Sequence, residues 1–120
     1  MVLYCYTQRM VWTMELNQEI MSIADAIKEV VPVELIYLFG SYASGNSGEN
    51  SDYDFLVLIP DGELRPLDAA LMARRALAKV NRVTPVDILA DYRSRFDERR
   101  QLNTFERRVW NEGVVIYERS

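Results

Sequence analysis

The sequence predicts a single α/β domain in which a small β-sheet is flanked by helices. Its 120 residues suffice for one hydrophobic core, but they are few for an enzyme that must also enclose its substrate. Short apolar runs at residues 35–39 and 55–59 are bounded by turn formers, which is typical of buried strands. Apolar residues recur at helical spacing in residues 16–31 and again in residues 66–80. Strand-like and helical segments therefore alternate along the chain, as they do in the α/β class.

The first helix is predicted to follow an N-terminal extension, residues 1–13, of uncertain role. Clear periodicity begins after Thr13, so we expect the domain to span residues 14–120. Two interpretations of the extension stay open: Met14 is the functional start, or the early residues form an added strand or a contact surface. The predicted helix ends at Pro32, and one of its faces carries Leu16, Ile20, Ile23, Ala24, Ile27, Val30 and Val31.

The first strand, residues 35–39, leads into a Gly-Ser pair that is suited to binding phosphate. Gly40 lets the backbone turn sharply and approach a ligand closely, and Ser41 offers a hydroxyl and a backbone N–H group. Residues 45–51 then have the composition of an exposed loop. We therefore expect a phosphate group to bind where this strand ends.

Asp52 and Asp54 open the second strand and predict a cation site. Residues two apart in a strand point to the same side, so both carboxylates face one point while Tyr53 faces away. Two unit charges about 4 Å apart repel by roughly 4 kcal/mol at an effective dielectric near 20, so this pair needs a counter-charge. Magnesium is the natural one, because it favours oxygen ligands and combines one or two carboxylates with water and substrate phosphates.

The helix predicted at residues 66–80 contains one residue of ambiguous role, Arg74. Either Arg74 lies at the helix margin and extends its guanidinium to water, or it pairs with a buried acid near the site. Substitution by methionine separates the two cases, since it is nearly neutral in the first and harms activity in the second. Arg74 projects onto the apolar side formed by Leu67, Ala70, Leu71, Leu77, Ala78 and Val80.

A third carboxylate, Asp87, lies inside an apolar run at residues 84–90 that predicts another buried strand. An ionised aspartate there is costly unless it is paired or bound to a metal. If this strand lies beside the one that carries Asp52 and Asp54, three carboxylates converge. Together with a phosphate-binding Gly-Ser pair, they describe a two-metal site for nucleotidyl transfer.

The C-terminal third is rich in charge. Residues 91–108 carry both signs, which is typical of a solvated helical face with ion pairs four residues apart. The alternative is a basic edge that meets nucleotide phosphates or an acidic partner. A helix is expected at residues 103–111, with Phe105, Val109 and Trp110 directed inward, and a last strand at residues 114–117 after Gly113.

Composition excludes several classes of protein. A net charge of −4 argues against general binding to nucleic acid or to an anionic membrane. No apolar stretch approaches the roughly 20 residues that cross a bilayer, and the first residues lack a basic leader, so we expect a cytoplasmic protein. The single Cys5 excludes an internal disulfide. Because the chain has no histidine, its chemistry must depend on carboxylates and metals.

The order Gly40-Ser41, ten intervening residues, Asp52-x-Asp54 and a later strand with Asp87 resembles the nucleotidyltransferases of the polymerase-β type. It is most similar to the small bacterial minimal nucleotidyltransferases. This resemblance implies a small mixed β-sheet flanked by helices. It also implies that Gly40 and Ser41 hold the triphosphate of ATP, that Asp52 and Asp54 bind two Mg²⁺ ions, with Mn²⁺ as a substitute, and that Asp87 completes the metal site near the attacking hydroxyl.

The resemblance, which spans about residues 20–117, also implies an activity and a partner. Small members resemble the antitoxin half of two-component systems that contain an all-helical HEPN ribonuclease toxin. The implied reaction moves AMP from ATP to a tyrosine of that toxin and releases pyrophosphate. Many relatives carry an arginine where this chain has Ser44, so a phosphate or structural contact is lost or supplied elsewhere.

Two other functions remain open at this point. One is a transferase for a small molecule of the aminoglycoside kind, which would need homodimerisation to form an acceptor pocket. The other is an antitoxin module that binds and blocks its partner without chemistry. The missing arginine at Ser44 leaves room for the second, whereas the three aspartates speak against it.

Overall fold

The β-sheet forms the middle of three layers, with two helices packed on each of its faces. A computed structural model describes residues 18–40, 52–62, 64–82 and 84–119. The predicted N-terminal extension, residues 1–13, lies outside the described residues. Within the described ranges, no helix has the length and apolarity needed to cross a membrane.

The described residues form four strands and four α-helices, which confirms the predicted α/β class. In chain order these are α1 (Gln18–Val30), β1 (Leu35–Phe39), β2 (Tyr53–Ile59), α2 (Pro66–Ala76), β3 (Val86–Tyr92), α3 (Arg93–Arg99), α4 (Phe105–Glu112) and β4 (Val114–Glu118), with a 3-10 turn at Leu77–Lys79 after α2.

The strands form one mixed sheet in the order β3-β2-β1-β4. β1 runs antiparallel to both β2 and β4, whereas β2 runs parallel to β3. The mixed sheet that the resemblance implies is therefore confirmed. Because β1 runs opposite to β2 and β3, its C-terminal end meets the N-terminal ends of those two strands at one end of the sheet.

α1 and α2 cover one face of the sheet and enclose the larger core. The strands contribute alternate residues to it, as the two-residue repeat of a strand requires. Burying an aliphatic or aromatic side chain contributes roughly 1.5–3 kcal/mol, so this layer is a main source of folding free energy. The buried residues include the predicted α1 face, Ile20, Ile23, Ala24 and Ile27, and the strand residues Ile36, Leu38, Tyr53, Phe55, Val57, Ile59 and Ile88.

α3 and α4 cover part of the opposite face through a smaller core. Phe96 is the anchor of α3, since it is buried and its ring centre lies 5.4 Å from that of Tyr37 on β1. It is the apolar residue that holds an otherwise charged segment against the sheet. The buried members of this core are Leu35, Tyr37, Leu56, Leu58, Phe96 and Val109.

The charged segment forms the solvated face that its sequence predicts. Arg93 pairs with Asp97 and Arg95 pairs with Asp91, each four residues away, with nitrogen–oxygen distances of 3.3 and 3.5 Å. Exposed pairs of this kind contribute about 0–1 kcal/mol each. They keep the outer side of α3 in water while Phe96 holds its inner side.

The apolar side predicted for the helix at residues 66–80 is only partly correct, because Ala70 and Leu77 are buried but the two leucines within α2 are not. Leu67 and Leu71 are 65% and 41% exposed, and the helix instead buries a stripe of alanines that includes Ala69 and Ala73. Small side chains let a helix approach a sheet closely, so the buried face is the one with the least bulk rather than the one with the most hydrophobic residues. Arg74 is exposed, and its guanidinium donates a hydrogen bond to the backbone carbonyl of Ile88, at 3.1 Å.

The inward orientation predicted for Phe105 and Trp110 is also wrong. Val109 is buried, but Phe105 and Trp110 are 43% and 46% exposed. Each ring packs on a partner at the surface. Phe105 meets the ring of Phe39 edge-on at 5.3 Å, and the guanidinium of Arg100 lies 4.4 Å from the centre of the Trp110 ring. Edge-to-face and cation–π contacts of this kind stabilise aromatic rings that remain partly in water.

Candidate active site

The predicted site residues lie together at the end of the sheet where β1 finishes and β2 and β3 begin. Phe39, the last residue of β1, pairs with Asp54, and Asp54 pairs with Asp87 on the neighbouring strand. Asp52 comes directly before β2, and Gly40 comes directly after β1. The prediction that the strand of Asp87 lies beside the strand of Asp54 is therefore confirmed.

Negative charge is crowded at this end of the sheet. Partial burial raises the pKa of the Asp54 carboxyl above its ordinary value, and the charges of Asp87 and Asp52 raise it further. In the part of the chain that the structure describes, no lysine or arginine forms an ion pair with any of these three aspartates. The site is therefore suited to a cation that comes from outside the protein.

The three carboxylates are ligands of the type that magnesium prefers, but their side chains are not arranged around one point. Ionised aspartates offer only acceptor oxygens, which are the ligands that hard cations prefer. Nevertheless, within the described ranges no group of three or more His, Cys, Asp or Glu side chains is arranged to hold a metal ion. Asp52 and Asp87 are exposed, so their side chains have space to change rotamer. The three aspartates lie on neighbouring strand positions and supply the oxygen ligands that a divalent cation prefers. Rotation of their side chains would bring these oxygens to one cation.

Gly40 is held against the carboxylate of Asp54. Its φ of +81° lies in the left-handed region, which favours glycine over other residues. A Cβ atom at this position would overlap the Oδ2 atom of Asp54. Glycine is thus required both for the turn after β1 and for the space that Asp54 occupies. Ser41 and Ser44 lie outside the described residues, and their roles stay predictions.

The expectation that Asp87 occupies a strand buried on both faces is wrong. β3 is one of the two edge strands of the sheet that the described residues form, and the side chains at its start alternate between exposed and buried. Ile88 is buried against α1 and α2, whereas Asp87 and Leu89 are exposed on the opposite face. The apolar composition of the segment concealed this alternation. Asp87 is a candidate site residue because it pairs with Asp54 on the neighbouring strand. It carries no free-energy cost of burial.

A hydrogen-bond network that the sequence reasoning missed lies behind the carboxylates, on the α1 and α2 side. The hydroxyl of Tyr53 donates to Glu19 Oε1 at 2.9 Å, and the hydroxyl of Thr84 donates to the same oxygen at 2.8 Å. Thr84 also donates its backbone N–H to Glu19 Oε2, at 3.4 Å. A buried tyrosine hydroxyl usually needs a hydrogen-bond partner, so the presence of Tyr53 in a predicted strand indicated that such a partner exists. Its partner lies 34 residues away, beyond any local spacing rule.

A groove lies further along the two strands that carry Asp54 and Asp87. Leu56 and Leu89 pair with each other two residues beyond Asp54 and Asp87. The groove has a volume of about 220 Å³ and is lined by Leu56, Leu89, Ala90, Asp91, Phe96, Phe105 and Glu106. Sites that enclose a whole small-molecule ligand are larger, from roughly 300 Å³. This groove is therefore of a size for a single ring or side chain.

Comparison with known proteins gives matches among solved structures. A search of curated proteins found no match to the sequence. A putative nucleotidyltransferase from Sulfolobus solfataricus is 20% identical and aligns over 93% of this chain and 86% of its own, with a TM-score of 0.59.

Two toxin–antitoxin structures also align, each over 87% of this chain and 76% of its own, with TM-scores of 0.54. One, determined with AMP-PNP, is 23% identical. The other, a mutant of MntA-HpeT in which two aspartates two residues apart are replaced by glutamate, is 24% identical. At such low identity, all three structures establish a shared fold.

The family relationship comes from the sequence. The family model of the nucleotidyltransferase domain matches residues 20–116. This range begins at the first core residue of α1, includes all four aspartate and glycine positions described above, and reaches β4. The fold of the described residues and the acidic end of the sheet agree with that match. The chain therefore belongs to the nucleotidyltransferase domain family.

Proposed function

We propose that this chain transfers AMP from ATP to a hydroxyl group in a metal-dependent reaction that releases pyrophosphate. The observation that carries the proposal is the pairing of Asp54 with Asp87 on neighbouring strands, with Gly40 packed against the Asp54 carboxylate. These residues collect negative charge beside a turn that approaches a ligand closely. Membership of the nucleotidyltransferase domain family supports the same type of chemistry.

Each site residue has a distinct part in this proposal. Asp52, Asp54 and Asp87 would hold two Mg²⁺ ions, or Mn²⁺, and Gly40 with Ser41 would hold the triphosphate. Bound ions of this kind lower the pKa of an attacking hydroxyl and neutralise charge on a triphosphate. Asp87 lies on the edge strand and is exposed, so it is the carboxylate that the acceptor reaches. Asp54 is less exposed and lies between Asp87 and Gly40, on the nucleotide side.

The acceptor in this proposal is a tyrosine of a helical HEPN-type toxin, which makes the chain an antitoxin. Two of the structural neighbours are toxin–antitoxin proteins, one of them with AMP-PNP and the other with two aspartates changed to glutamate. The groove beside the carboxylates supports an acceptor with an apolar ring, because Leu56, Leu89, Phe96 and Phe105 line it. Its volume of about 220 Å³ is suited to one side chain.

Intact-mass spectrometry tests the proposal directly. The chain is purified with whatever protein binds it and is weighed before and after incubation with ATP and Mg²⁺. We expect a mass increment of one AMP on the partner, which is absent with the Asp52→Ala/Asp54→Ala variant. Asp25→Asn is a matched control, since Asp25 is an exposed aspartate of α1 whose side chain is 64% accessible. It should leave the increment unchanged.

The outcome distinguishes the other functions as well. If a stable complex with bound nucleotide gains no mass, the chain either blocks its partner without chemistry or modifies a small molecule. Inhibition of the partner that survives Asp52→Ala/Asp54→Ala would favour the non-catalytic module. AMP transfer to an aminoglycoside by the isolated chain would favour the small-molecule transferase.

Asp87→Asn tests the role of the third carboxylate. Because an amide oxygen is neutral and a weaker cation ligand, we expect transfer to fall by at least about 10²-fold. Binding of ATP, measured by calorimetry, should be mostly retained, since Gly40, Ser41, Asp52 and Asp54 remain. If Asp87→Asn is as active as the unmodified chain, Asp87 has no part in the mechanism.

A further inference from the structure

We propose that Glu19 is a positioning residue for the acidic site, which it supports from the opposite face of the sheet. Its carboxylate holds the start of β2 and the residues that precede β3 against the first turn of α1. The consequence for catalysis rests on the nucleotidyltransferase function proposed above. The structural consequence, that Glu19 orders the ends of both strands, does not.

The geometry joins three separate parts of the chain at one carboxylate. Glu19 Oε1 accepts hydrogen bonds from the hydroxyls of Tyr53 and Thr84, at 2.9 and 2.8 Å, and Oε2 accepts from the backbone N–H of Thr84, at 3.4 Å. The backbone N–H of Tyr53 in turn donates to the carbonyl of Pro85, at 3.0 Å. β2 and the approach to β3 are thus linked twice, once through the backbone and once through Glu19.

This linkage bears on the site because Tyr53 is the residue between Asp52 and Asp54. Side chains alternate along a strand, so holding the Tyr53 ring on one face directs its two neighbours to the other face. Tyr53 is 2% exposed, and its ring packs in the larger core. Thr84 lies three residues before Asp87. Through Tyr53 and Thr84, Glu19 therefore acts on the strand positions of all three aspartates.

The site needs such support because β3 is an edge strand. It has a hydrogen-bonded neighbour, β2, on one side of the sheet. Strand ends that are held on one side open more easily than central strands. Hydrogen bonds to an ionised carboxylate are about twice as strong as neutral ones, so Glu19 is well suited to close this end. Without it, the buried Tyr53 hydroxyl and the Thr84 groups would lose these bonds.

The test combines hydrogen exchange with steady-state kinetics on the full chain. Glu19→Ala removes the carboxylate, and Glu19→Gln keeps one acceptor oxygen. Val33→Ala is the control, because Val33 is a buried residue of the larger core that precedes β1, at the opposite end of the sheet from the site. Loss of buried methyl groups destabilises a protein without removing a contact of the site.

We expect Glu19→Ala to speed exchange of the Tyr53 amide about tenfold more than that of the Val57 amide in the middle of β2, as a local opening would. The kcat for AMP transfer should fall about tenfold while the KM for ATP changes less than about twofold, because a small displacement of the aspartates weakens the transition state more than it weakens nucleotide binding. Glu19→Gln should recover part of both effects. Val33→Ala should change the two amides equally and leave kcat unchanged.

The possible results separate the inference from the proposed function. If Glu19→Ala changes exchange and kcat no more than Val33→Ala does, Glu19 is an ordinary structural residue and the inference is overturned. If the unmodified chain transfers no nucleotide but Tyr53 exchange responds as expected, the proposed function fails and the ordering role of Glu19 stands. If transfer occurs and exchange at Tyr53 is unaffected, the proposed function stands and the inference fails.

Discussion

At the scale of single residues, the candidate site depends on the contact between Gly40 and Asp54. The carboxylate of Asp54 occupies the space that a side chain at position 40 would need. Partial burial raises the pKa of that carboxyl, and the negative charges of Asp87 and Asp52 raise it further. One glycine and one crowded aspartate therefore set both the shape and the electrostatics of the site, and each can be changed separately.

Gly40→Ala should damage the site more than the fold. The new methyl group displaces the Asp54 carboxylate, and an alanine at a φ of +81° is strained by about 1–2 kcal/mol. A misplacement of about 1 Å can cost roughly 10²-fold in rate, so we expect a fall of that order in kcat. Gly62→Ala is the matched control, since no heavy atom lies within 4 Å of its added Cβ. Equal activity of the two variants would contradict the assignment of Gly40 to the site.

Asp54→Asn should stabilise the metal-free protein at neutral pH. A raised pKa means that the folded state binds a proton more readily than the unfolded state, so the free energy of unfolding falls as pH rises from 3.8, the ordinary value, through the folded pKa. Asparagine removes this penalty. In EDTA at pH 7 we therefore expect a higher unfolding midpoint for Asp54→Asn than for the unmodified chain.

The unfolding midpoint measured at lower pH tests whether the charge of Asp54 is the cause of this difference in stability. At about pH 3, below the ordinary range for aspartate, the folded and unfolded states both carry a protonated Asp54, so the difference between variant and unmodified chain should shrink. A variant that is less stable than the unmodified chain at pH 7 would show that Asp54 is stabilised as an anion.

At the scale of secondary-structure elements, the edge strand β3 is the part of the sheet that needs outside support. Its start is linked to Glu19 through Thr84, and its middle accepts a hydrogen bond from Arg74 of α2 at the Ile88 carbonyl. An edge strand exposes backbone groups that can pair with another chain, and capping them with a charged side chain reduces that risk. In the described residues Arg74 thus meets a carbonyl, not the buried acid considered from the sequence.

Arg74→Met should therefore reduce stability without altering catalysis. Loss of the hydrogen bond to Ile88 is expected to cost about 0.5–1.5 kcal/mol in the free energy of unfolding, measured by urea denaturation. The rate of AMP transfer should change less than about twofold, since Arg74 contacts none of the aspartates. Arg75→Met is the control, because no hydrogen bond or ion pair of Arg75 occurs in the described ranges. A large loss of activity in Arg74→Met would instead support the alternative that Arg74 pairs with an acid near the site.

At the scale of the whole molecule, the described residues form a layered fold in which helices cover the two faces of the sheet unequally. α1 and α2 cover one face and α3 and α4 cover part of the other, and among the described residues Asp54, Asp87 and the groove at Leu56 and Leu89 lie on that second face. A ligand that binds this end of the folded sheet, and not the unfolded chain, must raise the stability of the entire domain.

Mg²⁺ with a non-hydrolysable ATP analogue should therefore raise the thermal midpoint of the unmodified chain. At ligand concentrations about 100-fold above Kd the stabilisation is about 2.7 kcal/mol. Asp54→Asn, which removes a cation ligand and is more stable alone, should show a much smaller rise. Equal rises in the two proteins, measured by scanning fluorimetry, would mean that nucleotide and metal bind without Asp54.

The sequence by itself determined the features that depend on local periodicity. The spacing of apolar residues in α1 predicted its buried face, and short apolar runs predicted β1 and β2, because these patterns repeat over 2 or about 3.6 residues. The opposite directions of Tyr53 and Asp54 follow from the same repeat. The motif that runs from Gly40 to Asp87 could be recognised in the sequence because it consists of particular residue types at fixed separations. It predicted the family correctly.

Only the tertiary structure decided what depends on contacts between distant segments. It made β3 an edge strand, which exposed Asp87, and it placed that residue beside Asp54 through strand pairing. It chose the alanine face of α2 rather than the leucine face, since packing distance outweighs hydrophobicity there. It also joined Glu19 to Thr84 across 65 residues. A local periodicity cannot predict such a contact, because the hydrogen bonds form only when the folded sheet brings Tyr53 and Thr84 to the Glu19 carboxylate.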